Sequence, residues 1–342
     1  MPCGEYFTHY EERNGLFRWR IQRIALLGLP IPFLLPFVIG GGIVSLLSQM
    51  YIFAIAVLGL NVILGYAGEI VLAQGAFMAI GAYTTINVIN AGLGMLPALL
   101  ISGLVVALVA VLFGIPSFRV KGFYIAITTL ALQFITEWFF NNNSASWIHG
   151  GPRQAMPAEV GLVGEFLTVG SRLSLYFLTL GLMIVFAMLS LNLSRTGIAR
   201  AFRAVHDNDL AASVLGIDVF RNKLLAFAVG GFMIGVSGGL FGFYIGFLDP
   251  SYFTIDRTLQ QYVMLLFGGL GRVWGALLGV GIVIIILEFL RSSILEVAPN
   301  ATTLEAPIFG VLIILVLAVE PKGFLAALGQ IKEYLQKWPY AY

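Results

Sequence analysis

The side chains able to do covalent or proton chemistry in this sequence are few and scattered. His9, His149 and His206 lie in polar stretches far from one another, and Cys3 is the single cysteine. A disulfide framework or a thiolate metal cluster needs more cysteines than that. No His-Glu-x-x-His run offers a zinc site, so no metal is expected. No histidine has a nucleophile and a carboxylate beside it in sequence. The phosphate-cradling run Gly-x-x-x-x-Gly-Lys-Ser/Thr is also missing. Gly268-Gly269-Leu270-Gly271-Arg272 is glycine-rich but lacks the lysine. Nucleotide hydrolysis by this chain is not expected, and neither is an intramembrane enzyme.

Carboxylates placed mid-way along an apolar run are expensive unless they relay protons or ions. Here Glu69, Glu137 and Glu288 fall at or near the ends of such runs, and Asp249 and Asp256 flank a turn. An ion-coupled transporter therefore lacks an obvious coupling site. The remaining groups are neutral. Gln74, Thr128, Thr129 and Gln133 could offer hydrogen bonds to a polar solute at small desolvation cost. Their simpler role is bonding between helices.

A third feature is the polar segment 194–222, which punctuates itself as a helix. Asp207 or Asn208 can cap its start, because a side-chain oxygen there accepts from exposed backbone amides. Gly216 can close it in the left-handed conformation. Between them Leu210, Val214 and Leu215 share a face, and Ala211 and Ala212 keep the profile narrow. A helix so short is not stable alone. It needs either a partner's groove or a lipid surface with Arg195, Arg200 and Arg203 near anionic headgroups.

The elements that must hold these groups follow from apolarity. Hydrophobic residues make up 59% of the chain and charged residues 11%, with a mean hydropathy of +0.94. Soluble domains carry roughly 25% charged residues, so the bulk of this chain belongs in lipid, and no nucleic-acid partner is expected. A crossing helix needs about 20 apolar residues. Such runs fall at 24–40, 43–64, 70–90, 97–116, 123–140, 173–192, 223–247, 258–271, 273–291 and 304–320. The fold expected is an all-α, polytopic transmembrane helical bundle of about ten spans. Eight or nine result if the proline-broken first run and the short eighth do not cross.

With ten spans and a cytoplasmic N-terminus, only Arg153, Arg172, Arg257 and Arg291 of the 19 basic residues fall outside. That bias follows the positive-inside rule and makes both termini cytoplasmic. The organisation is then a tail over 1–23, a permease domain over 24–320 and a second tail over 321–342. The domain includes an inner loop 194–222 and an outer loop 141–172. The outer loop is rich in turn residues, such as Asn141-Asn142-Asn143 and His149-Gly150-Gly151-Pro152, and has room for a short surface helix.

Glycines recur every four residues in the run 223–247: Gly231, Gly235 and Gly239, and again Gly238, Gly242 and Gly246. Stripes of that spacing let helices pack closely. Gly275 and Gly279 repeat the device, and Gly65, Gly68, Gly75 and Gly81 weaken the helices around residue 70, where a broken helix could expose backbone dipoles.

Several blocks resemble a known family. Asp209-Leu210-Ala211-Ala212-Ser213-Val214-Leu215-Gly216 resembles the cytoplasmic Glu-Ala-Ala-x-x-x-Gly loop of ABC importer permeases, with Leu210 in place of the usual acid. Ser194-Arg195-Thr196-Gly197 through Arg203 to Lys223-Leu224-Leu225-Ala226-Phe227 is similar to branched-chain amino acid permeases of the LivM type. Gly65 to Tyr83 resembles that family's second-to-third span signature, with Val71 and Ala73 where Ser and Gly are common. Arg119 to Leu130 resembles the start of its fifth span. The matching blocks extend from about residue 60 to about 290, most of the chain.

The resemblance implies the permease of an importer in the cell inner membrane, coupled to two separate ATP-binding subunits through Arg203, Asp207, Asp209, Leu210, Ala211, Ala212, Leu215 and Gly216. ATP and magnesium would be bound by those subunits. It also implies a second related permease and an extracytoplasmic solute-binding protein. Branched-chain amino acids are the default cargo, and urea and short amides are carried by close relatives. A secondary transporter or channel working without nucleotide accounts for the spans and glycines but leaves the loop unexplained.

Overall fold

The computed structural model describes residues 31–38, 40–118, 124–142, 150–157, 159–163, 166–297 and 310. The chain divides into two units, residues 1–47 and 48–342. Described residues of the first unit form α1 (Ile31–Val38), with Pro36 inside it, and the beginning of α2 (Gly41–Leu60). Both tails and the run 304–320, except Gly310, lie outside the described residues.

The second unit is built on long apolar helices, because backbone amides removed from water must be bonded within their own segment. α2 continues into a π-helical segment, Asn61–Tyr66, and the chain then leaves helical geometry until Gln74. α3 (Gln74–Asn90), α4 (Met95–Ser117) and α5 (Tyr124–Asn141) follow. β1 (Gln154–Ala155), β2 (Val160–Val163) and β3 (Phe166–Val169) precede α6 (Arg172–Arg195). Two short helices come next, α7 (Gly197–Asp207) and α8 (Asp209–Val214), before the long α9 (Val219–Ile245). β4 (Phe247–Leu248) and a 3-10 turn, Pro250–Phe253, lead into α10 (Ile255–Gly268) and α11 (Val273–Val297).

Among the described residues four helical stretches are long and apolar enough to cross a membrane: Gly41–Tyr66, Met95–Ser117, Arg172–Arg195 and Val219–Ile245. Pro250–Gly268 and Val273–Phe289 make a fifth if they count as one span bent by 119°. The runs expected at 70–90 and 258–271 are broken or short, the run expected at 123–140 forms α5 but is not among these stretches, and ten spans are not reached among the described residues. Strands also enter the expected all-α fold. In the segment expected to form turns and a short surface helix, Gly150 and Gly151 turn at φ +78° and +113°, and a β2–β3 hairpin and β1, which pairs with β4, follow, while residues 143–149 lie outside the described residues. Val160, Val163 and Val169 favour a pleated backbone, since β-branched side chains fit it better than a helix.

α9 is the central element, packed chiefly on α4 and α3. The glycine stripes make that contact. A Cβ at Gly238 would run into the Met78 backbone, and one at Gly235 or Gly239 would meet Val106 or Leu99 at 2.7 Å. Gly231 lies against Ala110 and Gly242 against Met156. Gly246 is a correction to the expected stripe. A Cβ there would meet nothing within 4 Å, and Gly246 caps α9 with φ +78°, so it ends the helix instead of joining the packed stripe, while its C=O accepts from Met156 N–H at 2.9 Å. Along α9 the second unit has two ends, one carrying Lys223 and the other Asp249, with about 33 Å of helix between Lys223 and Ile245 at 1.5 Å per residue.

Candidate functional site

The segment 196–218 folds as two capped helices. Thr196 Oγ1 accepts from Ala199 N–H to start α7. Ala199, Phe202 and Val205 are buried along one face, which holds α7 to the body. Asn208 supplies the cap of α8, with Oδ1 accepting from Leu210 and Ala211 N–H at 3.0 Å each. Asp207 is the exposed last residue of α7. Gly216, at φ +83°, closes α8 while Gly216 N–H donates to Ser213 O and Ile217 N–H to Ala212 O, each at 3.0 Å. That left-handed turn would strain any residue bearing a Cβ.

α8 has two unlike sides. Ala212 is buried against the body, whereas Ala211 is exposed. Leu210, Val214 and Leu215 are 70%, 86% and 78% exposed, an apolar edge on a fixed base. Arg203 turns back toward the protein. Its guanidinium lies 5.2 Å from the Tyr66 ring centroid, and Nη2 donates to Ser194 O at 3.1 Å.

Lys223, in the first turn and a half of α9, binds this pair of helices to the break after Tyr66. Its Nζ lies 2.7 Å from Glu69 Oε1 and 2.8 Å from Asp209 Oδ2. The Lys223 and Glu69 side chains are 13% and 11% exposed, while Asp209 is half exposed. Burial pushes the Glu69 carboxyl above the usual carboxylate range, against the opposing pull of the lysine. His206 packs on Gly68 in the same stretch.

The far side of that break is a neutral hydrogen-bond network. The first amides of a helix have no partner within it, and neighbours supply partners for those of α3. Thr258 Oγ1 accepts from Gly75 N–H at 2.8 Å, and Gln133 Oε1 from Ala76 N–H at 2.7 Å. Thr129 Oγ1 accepts from Leu72 N–H at 3.0 Å, and the Tyr262 hydroxyl bonds both N–H and C=O of Val71. Gln74 Nε2 donates to Gln261 Oε1 and to Ala56 O. Gln133 Nε2 donates to Phe253 O at 2.7 Å.

Gln74, Thr129 and Gln133 thus converge, fully buried, on the start of α3. Thr128 stands apart, half-exposed, donating to Tyr124 O of its own helix. In this conformation the three convergent residues serve bonds between segments, and Gln74 Oε1 is a buried acceptor with no hydrogen-bond partner.

A family model described as the permease component of branched-chain amino acid transport systems matches residues 42–317. The chain belongs to that family. It is 29% identical over 326 residues to the high-affinity branched-chain amino acid transport system permease protein LivM of Escherichia coli, covering 88% of this chain and 74% of that one. The Salmonella typhimurium LivM protein is 30% identical, over 85% of this chain and 71% of its own. Escherichia coli LivH, also named a permease of that system, is 28% identical over 80% of this chain and 91% of its own. No solved structure matches.

Membership makes this a multi-pass membrane permease of the LivM type and gives the two halves of the site a common setting. Neither Glu69 nor Lys223 stands out in the sequence as a site residue, because the two are distant in the chain and each looks like a charge at a span end. Thr258, Gln261 and Tyr262 are inconspicuous in the sequence for a related reason. Only their spacing along α10, at positions three and four apart, hinted that this permease turns one polar face toward α3.

Proposed function

We propose that this permease is the membrane-spanning subunit of an ATP-driven importer, and that α8 docks it to separate ATP-binding subunits. The carrying observation is the apolar edge Leu210–Val214–Leu215, held rigid by two caps and by the Lys223 bridge. Three large apolar side chains on so short and well-anchored a helix suit a partner's groove better than water. The sidedness follows from the same reading. The Lys223 end is cytoplasmic, the Asp249 end faces outward, both termini are cytoplasmic, and the membrane is the cell inner membrane.

ATP and magnesium belong to the two ATPase subunits in this reading, and the chain itself contributes no cofactor. A second, related permease completes the pore, and a solute-binding protein delivers the cargo to the outward end. The names of the relatives support branched-chain or other amino acids as cargo. The loop 67–73 is the link between docking and transport. It touches α7 and α9 through His206 and Lys223, and α5 and α10 through Thr129 and Tyr262, and it leads directly into α3. Movement of α8 on the ATPases would pull that loop and loosen the network around Gln74, Thr129 and Gln133.

Leu210→Asp and Val214→Asp test this directly. Both side chains are exposed, so the protein should insert and purify as before. The ATPase subunits should no longer copurify from mild detergent, and uptake in proteoliposomes should stop responding to vanadate. Copurification at the wild-type level would sink the docking role.

A further inference from the structure

Arg257 is a charge that neither half of this site uses. It sits half-buried in the first turn of α10. Its guanidinium carbon is 5.4 Å from the ring centroids of both Phe53 and Phe241. These rings are buried and lie 5.3 Å from one another. Nη1 donates to Gln260 Oε1 at 2.8 Å, and Nε reaches Tyr252 O at 3.5 Å. A guanidinium has five N–H groups, so donors are left over. Among the described residues no carboxylate comes within ion-pair distance of it. Asp249 is held by Arg153, and the adjacent Asp256 is exposed.

Among the described residues no anion offsets this charge. The positive end of α10 repels a cation in its first turn, and two phenylalanine faces return only part of what partial removal from water costs. A guanidinium presents a planar fork that fits a carboxylate through two parallel hydrogen bonds. The location narrows the choice of anion. Thr258 and Gln261, one and four residues further along α10, belong to the network at the start of α3. The charge therefore stands at the head of the polar face that reaches the break in the helices. On the same ring cluster, Tyr244 stacks with Phe241, and its hydroxyl lies 3.4 Å from Gln49 Oε1.

We propose that Arg257, with Gln260 beside it, receives the carboxylate of the transported solute at the Asp249 end, over the paired rings of Phe53 and Phe241. The cargo class is then a carboxylate-bearing small molecule with an apolar part, and urea or a simple amide is disfavoured.

The inference rests on the importer reading, and the test separates the two. The complete transporter, reconstituted with its partner subunits in proteoliposomes, is compared as wild type and Arg257→Met for uptake of a mixture of radiolabelled amino acids and of the corresponding amino-acid amides. Loss of a charge-assisted hydrogen bond should lower amino-acid uptake about tenfold or more. The preference for acid over amide should shrink by the same factor, with the complex still intact by size exclusion. Arg257→Lys, which keeps the charge, should recover part of both. If Arg257→Met does not assemble, Arg257→Gln carries the same comparison. Unchanged acid uptake, or equal loss of acids and amides, overturns the carboxylate role and leaves the importer standing. Absence of ATP-driven amino-acid uptake by the wild type overturns both.

Discussion

Lys223 Nζ lies between Glu69 Oε1, at 2.7 Å, and Asp209 Oδ2, at 2.8 Å, so one ammonium ties the break after Tyr66 to α8. Lys223→Met should leave Glu69 buried and unpaired, at a cost on the order of 3 kcal/mol. Lys223→Met combined with Glu69→Gln should regain much of that, because a neutral amide carries no uncompensated charge. Asp209→Asn should cost less than about 1 kcal/mol, since that carboxylate is half exposed and screened. A double-mutant cycle on thermal unfolding in detergent measures all three. Additive effects of the Lys223 and Glu69 substitutions would refute the pairing.

Gly216 closes α8 in a left-handed turn. Gly216→Val places a β-branched residue at φ +83° and should cost about 1–2 kcal/mol locally. Nothing lies within 4 Å of its Cβ position, so the penalty is conformational and not steric. Gly216→Asn should therefore be milder than Gly216→Val. The measurement is solute-stimulated ATPase and uptake of the reconstituted complex, with wild-type coupling in the valine variant counting against the role.

At the opposite end, Asp249 has its carboxyl held below the ordinary value of 3.8, first by Ser251, whose N–H donates to it, and then by Arg153. A lowered carboxylate contributes stability above its unfolded pKa and loses it as pH falls through its folded one. Asp249→Ala should cost about 1 kcal/mol at neutral pH through the lost cap, and the gap from wild type should narrow in acid below 3.8. Arg153→Ala should cost less than about 0.5 kcal/mol, its side chain being 74% exposed. It should also leave ATPase copurification intact. Unfolding curves taken across pH, together with one pull-down, decide this.

Close helix packing gives a contrasting pair of glycines. Gly238→Ala should destabilise by about 1–3 kcal/mol, because its methyl group would collide with the Met78 backbone of α3. Gly281→Ala, with no atom within 4 Å, should be neutral or slightly stabilising in α11. Thermal shift of the two purified variants reads the difference, and equal shifts would remove the packing role assigned to Gly238.

Much of the design is local and therefore legible in the chain alone. Apolar runs of about 20 residues must become helices in lipid, and cap chemistry depends on neighbours a few residues away. Asn208 and Gly216 accordingly mark the ends of α8, and the glycine spacing marks the packed face of α9. The family blocks from Gly65 to Tyr83 and over 194–227 point to a permease for the same reason, since they are contiguous in sequence.

What tertiary structure alone decided is where distant polar groups meet. Gln74, Thr129 and Gln133 read as candidates for a solute, yet folding brings Thr258 and Gln261 to them and joins all five in bonds that hold the start of α3. Glu69 and Lys223 were ordinary span-end charges until the fold put them 2.7 Å apart. Gly246 fits the stripe by spacing but ends α9 because the chain turns there. The valines of 160–169 pair as strands once a hairpin partner is near. Each of these depends on a hydrogen bond or charge whose partner lies far along the chain, and periodicity carries no information about such partners. The short helix between Asn208 and Gly216 was written in the sequence; its link to the broken span through a single lysine was made by the fold.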